Sequence, residues 1–448
     1  MCYRLFIPFF SIVFSLVWSQ RILARGLSVE DVLNLADQKS PDIELIRQTY
    51  EAGRYQARAY LAQALPRVDF SYRFAKNDIV LSPTQGGGTS GIDRLKIDDY
   101  SWSVNLGAPL YTFGRVGALY TMYRSGTDQV ERQKLVDRDQ VLRAILKAYV
   151  DALGSVRRVA VQKKAVERSR QNYSFVKLEY EGGATKRIDF LTSQARLQET
   201  EADYLKAEAD RNGAIDLLKV LLGLDAKDQL ELDVNQGRDS KFFQLREDRQ
   251  VKNSGSLELA RLTNEFSTAN YKYRSAAYYP SIDAFASVSG QASTITDGLP
   301  EGATVEDEGF SESFDKGNRS VFYGLEFKWN LFAGGADLAE QKIAASQRMQ
   351  AKIEYEKKLR EEQILKQNAK IYLSTAQRIY EASLKSLEAS KLALETANSE
   401  FKNGALSLTE LYQEEEKFRS IEGESIQAFG ALILATADYR INNGWEIQ

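Results

Sequence analysis

This chain contains itself twice, and no other feature of the sequence constrains its fold as strongly. The run Ser40-Pro41-Asp42-Ile43-Glu44-Leu45 is answered by Ser254-Gly255-Ser256-Leu257-Glu258-Leu259, and Leu65-Pro66-Arg67-Val68-Asp69 by Tyr279-Pro280-Ser281-Ile282-Asp283, at one spacing (280 − 66 = 254 − 40 = 214). Further on, Leu110-Tyr111-Thr112-Phe113-Gly114 is answered by Leu331-Phe332-Ala333-Gly334-Gly335, and Glu179-Tyr180-Glu181-Gly182-Gly183-Ala184 by Glu400-Phe401-Lys402-Asn403-Gly404-Ala405, at a second spacing (335 − 114 = 404 − 183 = 221). The second copy gains about seven residues (221 − 214), all between its two strands. Coincidental likeness of two amphipathic helices would not repeat helices and strands in one order. The expected organisation is a leader over 1–19, a first repeat over 27–223, a connecting side segment over 224–253 and a second repeat over 254–444. A length of 448 residues would otherwise suggest two or three ordinary domains.

Each copy reads as helix, strand, loop, strand, long helix, turn, long helix. Ser40 is a good N-cap and Pro41 suits the first helical position, so a helix is expected to about Leu65, stopping before Pro66. Strand alternation follows at once. Val68, Phe70, Tyr72 and Phe74 alternate with Asp69, Ser71 and Arg73, and Tyr100, Trp102, Val104 and Leu106 with Ser101, Ser103 and Asn105. In the second copy Ile282, Ala284, Ala286 and Val288 oppose Asp283, Ser287 and Ser289. Likewise Val321, Tyr323, Leu325, Phe327, Trp329 and Leu331 oppose Gly324, Glu326, Lys328 and Asn330. The stretches 85–91 and 294–318, polar and rich in glycine, read as surface loops. From about Arg115 to Glu181 there is no proline, and Leu142, Leu146, Tyr149, Leu153, Val156 and Ala160 step by four and three as in a coiled coil. Such a helix is roughly 100 Å long at about 1.5 Å per residue. Gly182-Gly183 and Asn403-Gly404 mark its reversals, with the returning helices starting near Thr185 and Ser407.

Arg4, the apolar run Leu5 to Trp18, and Ser19 have the parts of a secretory signal, cut after Ser19 or, alternatively, after Ala24. The run is short for a membrane-spanning helix, which needs about 20 apolar residues. Cys2, the only cysteine, would leave with the signal, so the mature chain would carry no thiol. With no histidine in the chain, Ser-His-Asp and Cys-His catalysis and the commonest metal ligand are excluded. Only Met122 and Met349 would remain as soft ligands. We therefore expect no catalytic residues, no metal and no cofactor. A net charge of −3 gives no basic patch for nucleic acid.

Strands with one apolar face and about 9 to 11 residues fit a transmembrane barrel, in which every backbone group is paired. Four strands cannot close, since the smallest barrels have about eight. Two chains would give eight strands around a solid interior, and three would give about twelve around a lumen. A soluble two-hairpin sandwich is the alternative that alternation alone leaves open.

The order of elements, the helix-to-strand junctions at Pro66 and Pro280, the strand-to-helix turns ending in Gly114 and Gly335, and the tips Gly183 and Gly404 together resemble the TolC family of outer-membrane efflux proteins. The likeness runs from about Leu27 to Gly444. It implies an α+β fold, a duplicated unit of β-hairpin plus long antiparallel coiled-coil helices, assembled as a homotrimer. The trimer's 12-stranded β-barrel would be continued by an α-helical barrel. It implies location in the outer membrane of a Gram-negative type of bacterium, with a large periplasmic part. The implied partners are outer-membrane lipid, a periplasmic adaptor (membrane-fusion) protein and an inner-membrane transporter, in a tripartite efflux pump or a type I secretion system. The tips Gly182, Gly183, Ala184, Asn403, Gly404 and Ala405 would be where the adaptor docks. A periplasmic coiled-coil scaffold that forms no pore is the competing reading.

Asp189 and Glu410 each lie six residues beyond a tip glycine, where family members place acidic residues near the periplasmic entrance. In a symmetric oligomer they would form rings that attract cations. Ser407 and Glu410 equally form the Ser-x-x-Glu pattern of a capping box. One turn on, Thr192 and Gln413 stand where some members have a second acid, and Leu406 and Phe401 stand where some have Arg and Tyr. The candidate gate is thus Asp189, Glu410, Gln413, Leu406 and Phe401, with a closed state held by apolar contact. Leu406→Ser is expected to raise the conductance of the purified channel in planar bilayers, and an unchanged conductance would refute the apolar closure.

Overall fold

The computed structural model describes residues 26–80, 94–233, 240–243, 253–297, 309–315 and 318–444. The leader over 1–19 and the loop 85–91 lie outside these residues, as do parts of 224–253 and 294–318. In chain order the elements are α1 (Val29–Lys39), α2 (Pro41–Ala62), β1 (Arg67–Val80), β2 (Arg94–Tyr111), α3 (Arg115–Glu181) and α4 (Arg187–Leu222). The second series is α5 (Gly255–Ser275), β3 (Ser281–Asp297), β4 (Arg319–Lys328), α6 (Ala336–Lys402) and α7 (Leu408–Asn442). The two long helices that open the hairpins have the same length, 67 residues each. Their starts at Arg115 and Ala336 again differ by 221.

The strand-to-helix turns are duplicated down to the backbone. Phe113 and Gly114 have φ of 46° and 87°, and Gly334 and Gly335 have 63° and 87°. Both turns thus use two successive left-handed residues, a conformation that is costly for a side chain as large as phenylalanine. Phe113 is held there by stacking on Tyr279 at 5.4 Å and by an edge contact with Tyr111 at 4.8 Å.

The chain divides into two compact units. One comprises 53–129 and 261–354 and contains a single four-stranded antiparallel sheet in the order β1-β2-β3-β4. The pairings Phe70↔Val104, Val104↔Val288 and Val288↔Val321 run across it, as do Val68↔Leu106, Leu106↔Ala286 and Ala286↔Tyr323. Directly paired residues share a face, so all four apolar sets lie on one side of the sheet. Much of that side is bare: Phe70, Tyr323 and Leu325 are 67%, 82% and 68% exposed. The other side carries a polar ladder in which Ser71 and Ser103 hydroxyls meet at 2.8 Å, Asn105 donates to Ser103 at 2.9 Å and Ser287 donates to Asn105 at 2.6 Å. Phe285 and Phe322 are the aromatic exceptions on this polar side. β4 ends at Lys328, earlier than the alternation through Leu331 suggested, because Trp329 leaves the ladder and its Nε1 donates to the Tyr278 carbonyl at 3.2 Å. The stretch expected to be a surface loop is in part structured: 294–297 belong to β3, and 309–315 fold onto the apolar side. There Phe314 stacks on Trp102 at 5.1 Å, and Trp102 Nε1 donates to the Ser313 carbonyl at 2.8 Å. Gly290 makes room, since a Cβ there would come 2.1 Å from that carbonyl.

The other unit comprises the described residues up to 52, 130–260 and 355 onward. Its core gathers Val32 and Ala36 of α1, Leu142, Ile145, Leu146, Tyr149 and Leu153 of α3, Leu218 and Leu222 of α4, and Phe429 and Ile433 of α7. α1, absent from the sequence expectation, starts with a capping box in which Ser28 and Asp31 cap one another's backbone N–H. The expected heptad holds to Leu153 and then drifts. Ala160 is exposed while Ala152, Ser155 and Val159 turn inward, because a straight helix does not keep a 3.5-residue repeat. The side segment reaches this core through Leu230, Leu232 and Phe242, with Leu232 bridging Leu27 and Arg440 Nη2 donating to the Phe242 carbonyl at 2.6 Å.

Ser40 does not cap α2 with its side chain. Its hydroxyl is buried and makes no hydrogen bond to the protein. Only its backbone joins the helices, donating to the Ala36 carbonyl and accepting from Glu44. Its counterpart Ser254 accepts from the Leu257 N–H, and its N–H and hydroxyl donate to Glu362 at 3.0 and 3.1 Å. Val141 stands 221 residues before Glu362, so the first repeat has nothing to offer Ser40.

α3 and α7 approach closely at glycines. A Cβ on Gly430 would lie 2.4 Å from Val150 Cγ1. Gly430→Ala is therefore expected to cost roughly 1 to 3 kcal/mol by overpacking. Combining it with Val150→Ala should recover most of the loss, as read by thermal unfolding of the assembled protein.

Candidate functional site

The two tips turn alike. After α3, Gly183 at φ 74° lets Ala184 N–H reach back to the Glu179 carbonyl at 2.7 Å. After α6, Gly404 at φ 74° lets Ala405 N–H reach the Glu400 carbonyl at 2.9 Å. These bonds satisfy carbonyls that a helix end leaves open, and the left-handed residue explains glycine at both positions. Gly182, Gly183, Ala184, Asn403, Gly404 and Ala405 are all exposed.

Beyond the tips the repeats diverge. α7 starts with a capping box: the Glu410 carboxylate accepts from Ser407 N–H at 2.9 Å and from the Ser407 hydroxyl at 2.7 Å, and Glu410 N–H donates to that hydroxyl at 3.3 Å. The Ser407 hydroxyl, followed by its N–H, holds the Glu410 carboxyl below the usual carboxylate range. The cap is thus complete above that range and is lost only as pH falls through the lowered value. α4 starts after Lys186 without a side-chain cap, and Asp189, half-buried, accepts from the Thr185 hydroxyl at 3.3 Å. Asp189 and Glu410 are therefore each engaged within their own hairpin. Leu406 and Phe401 are half-buried, and the Phe401 ring meets Phe175 of α3 edge-on at 5.7 Å. Gln413 is exposed on a groove of about 540 Å³ between α4 and α7, shared with Thr192, Arg196, Tyr412 and Glu416.

Two turns from the Glu410 cap lies an ionic layer with a buried centre at Glu415 and Asn172 and exposed carboxylates at Glu199, Asp203 and Glu416. Glu415 is 5% exposed and accepts from Asn172 of α3 at 3.2 Å. Arg196 of α4 donates to Glu199 and Glu416, both at 2.8 Å, and Arg419 of α7 pairs with Glu416 and, at 3.6 Å, with Asp203 of α4. Burial pushes the Glu415 carboxyl up, against the opposing pull of Arg168, Arg196 and Arg419. Burial and then Glu415 push the Tyr412 hydroxyl up as well.

The model of the outer membrane efflux protein family matches residues 32–224, which is the first repeat. The alkaline protease secretion protein AprF of Pseudomonas aeruginosa is 24% identical over 367 residues, covering 78% of this chain and 70% of AprF. The structure of the outer membrane protein VceC of Vibrio cholerae superimposes with a TM-score of 0.75 at 14% identity, over 94% of this chain and 97% of VceC. The MtrE outer membrane channel of Neisseria gonorrhoeae, in its open state, gives 0.67 at 19% identity over 94% and 89%. The likeness to VceC and MtrE extends through the second repeat, beyond the reach of the family model. Residues 32–224 thus match the outer membrane efflux protein family, and most of the chain shares the fold of VceC and MtrE.

The sequence placed the two tip turns and the Ser407–Glu410 cap pattern, but it singled out neither the Phe175–Phe401 contact nor the ionic layer. Its signal lay in the heptad. Leu408, Leu411 and Glu415 step by three and four along one face of α7, as Ala165, Ser169, Asn172 and Val176 do along α3 by four, three and four. A carboxylate and an amide occupy positions that a coiled coil fills with apolar residues.

Whether Glu410 acts beyond the cap can be tested, because glutamine also completes a capping box. If the carboxylates line the entrance, Asp189→Asn and Glu410→Gln each lower cation-over-anion selectivity, read as a smaller reversal potential across a KCl gradient. Unchanged potentials in both would leave them as helix-start residues.

Proposed function

We propose that three copies of this chain form an outer-membrane channel whose barrel takes four strands from each, serving as the exit duct of a tripartite efflux pump or a type I secretion system. The observation that carries this is the sheet: four strands, one bare apolar face, one polar face, and edges at β1 and β4 without neighbours among the described residues. In lipid those edges must be paired, and strands from further copies are the pairing partners the geometry offers.

The register also sets a depth. Toward one end, the apolar side bears Tyr72, Phe74, Tyr100 and Trp102, and next come the ion pairs Lys76–Asp98 and Arg94–Asp78. At the other end Tyr111, Phe113, Tyr279 and Trp329 gather beside Ser281 and Lys328. From Ser281 to Ala292, the partner of Tyr100, β3 covers about 36 Å at about 3.3 Å per residue, or about 28 Å along the membrane normal for a strand tilt near 40°. Outer-membrane barrels have an apolar band of about 25 Å between two aromatic girdles. Tyr100 and Trp102 fall in one girdle and Trp329 in the other, while Tyr323 lies between them on the lipid face.

By the same reading the helical hairpins extend into the periplasm, their exposed tips meet a periplasmic adaptor and an inner-membrane transporter, and the channel passes between closed and open states. A pore-free scaffold leaves the bare face of the sheet without a purpose. Reconstitution of the purified protein is expected to give stepwise conductance and a cross-linked species of three chains. A protein soluble without detergent and silent in bilayers would refute the duct. Neighbouring residues on opposite faces make a sharper test. Val104→Arg, facing lipid, is expected to cost about 2 to 4 kcal/mol and to depress the yield of assembled protein in the membrane, whereas Ser103→Arg, facing the lumen, assembles normally.

A further inference from the structure

The segment 309–315, between β3 and β4, folds back over the apolar side of the sheet like a strap. Phe314 stacks on Trp102 of β2 at 5.1 Å, Phe310 meets Tyr72 of β1 edge-on at 5.4 Å, and the two phenylalanine rings meet each other at 5.2 Å. On β3 the seat is Gly290, the partner of Trp102, where a Cβ would strike both the Ser313 carbonyl and Trp102 Nε1. The strap belongs to the stretch in which the second repeat is about seven residues longer than the first (221 − 214).

Its backbone is closed off in the way a place poor in water requires. The Phe310 carbonyl accepts from the Ser313 hydroxyl at 2.7 Å, and the Ser311 carbonyl from Phe314 N–H at 3.1 Å. The Glu312 carbonyl accepts from Asp315 N–H at 3.0 Å and from Asn318 Nδ2 at 3.2 Å, and the Ser313 carbonyl from Trp102 Nε1 at 2.8 Å. Four successive carbonyls thus have partners within the protein, whereas a loop in water can leave them to solvent. The rings behave oppositely. Phe310 and Phe314 stay 52% and 45% exposed despite their contacts, apolar surface that water disfavours and a membrane interface favours. Trp102, whose indole would suit an interfacial girdle by itself, spends its N–H on the strap, so the strap's rings become the outward surface there.

Depth agrees with this. The strap rests on the row of Tyr72 and Trp102, and farther along the same side come the pairs Lys76–Asp98 and Arg94–Asp78. It therefore lies between the apolar band and the charged rows. Irregular backbone facing lipid is excluded from the hydrocarbon itself, and the interface is where it is tolerated.

We propose that residues 309–315 form an interfacial anchor outside the barrel, with Phe310 and Phe314 seated among the lipids of the outer leaflet and the strap clamped by Trp102 and Gly290. This rests on the reading of the sheet's apolar side as lipid-facing. Lipid contact at this depth then comes from a connection between strands as well as from the strands.

Spin labels report those surroundings. On a Cys2→Ser background in proteoliposomes, a nitroxide on Phe310→Cys is expected to collide several-fold more with oxygen, which partitions into lipid, than with a water-soluble nickel chelate. Phe70→Cys, one row deeper on the apolar side, gives the lipid reference, and Ser103→Cys gives the polar-side reference. Gly290→Val, which fills the seat, is expected to reverse the ratio at Phe310→Cys and leave both references unchanged. If Gly290→Val does not assemble, Trp102→Phe, which keeps a ring but deletes the N–H, is expected to shift the ratio the same way. A Phe310→Cys label that meets the chelate more than oxygen overturns the anchor, and so does a label shielded from both, which would lie against protein. A ratio unmoved by loss of the seat overturns the clamp. A Phe70→Cys label in water would instead remove the lipid-facing reading of the sheet.

Discussion

A backbone hydrogen bond that one chain cannot make for itself governs the rest of this molecule. β1 and β4 each end the sheet with a row of N–H and C=O groups, and the face between them bears Phe70, Val104, Tyr323 and Leu325 toward the surroundings. Water would tolerate the edges but not so large a bare face, and lipid would tolerate the face but not the edges. The proposed repetition of the sheet around an axis would meet both demands. In that proposed assembly the polar ladder of Ser71, Ser103, Asn105 and Ser287 would face the enclosed space.

Duplication supplies the strands economically, and it also shows how two copies of one unit part ways. Where backbone conformation sets the requirement, the copies agree: left-handed residues at 113–114 and 334–335, and glycine at both tips. Where side chains complete a hydrogen bond, they differ. Ser254 has Glu362 while Ser40 has none, and α7 has a capping box while α4 starts at Lys186 without one. Backbone geometry allows few residue types, whereas a cap or a buried partner is a local contribution of about 1 kcal/mol that one copy can drop if the other parts of the fold hold.

Much of the architecture was legible for the same reason. Period-two alternation named every residue of two rows across the apolar face, Val68–Leu106–Ala286–Tyr323 and Phe70–Val104–Val288–Val321, because register admits no slip when one face is apolar. Strand and helix ends were less legible. β4 stops short because the Trp329 indole finds the Tyr278 carbonyl, a contact 51 residues apart in sequence. The heptad extrapolated past Leu153 failed at Ala160, since it assumed a supercoil that α3 does not keep. α1 was invisible as an amphipathic segment too short to stand out, although Ser28 and Asp31 spelled its cap. At the tips, Glu410 carried its explanation in the Ser-x-x-Glu pattern. Glu415 did not, because its meaning comes from Asn172, Arg168 and Arg196 on other helices.

The paired 67-residue helices have one more consequence. A helix of that length is a counting device: each residue added turns everything after it by about 100° and advances it by about 1.5 Å. One extra residue in α6 would swing Leu394, Ala397 and Phe401 off the faces they now present while leaving α3 unchanged. Substitutions can therefore accumulate freely between the copies, as they have, but length cannot drift in one alone. The seven residues the second copy did gain sit between its strands, the part of the repeat where no helix has to keep count.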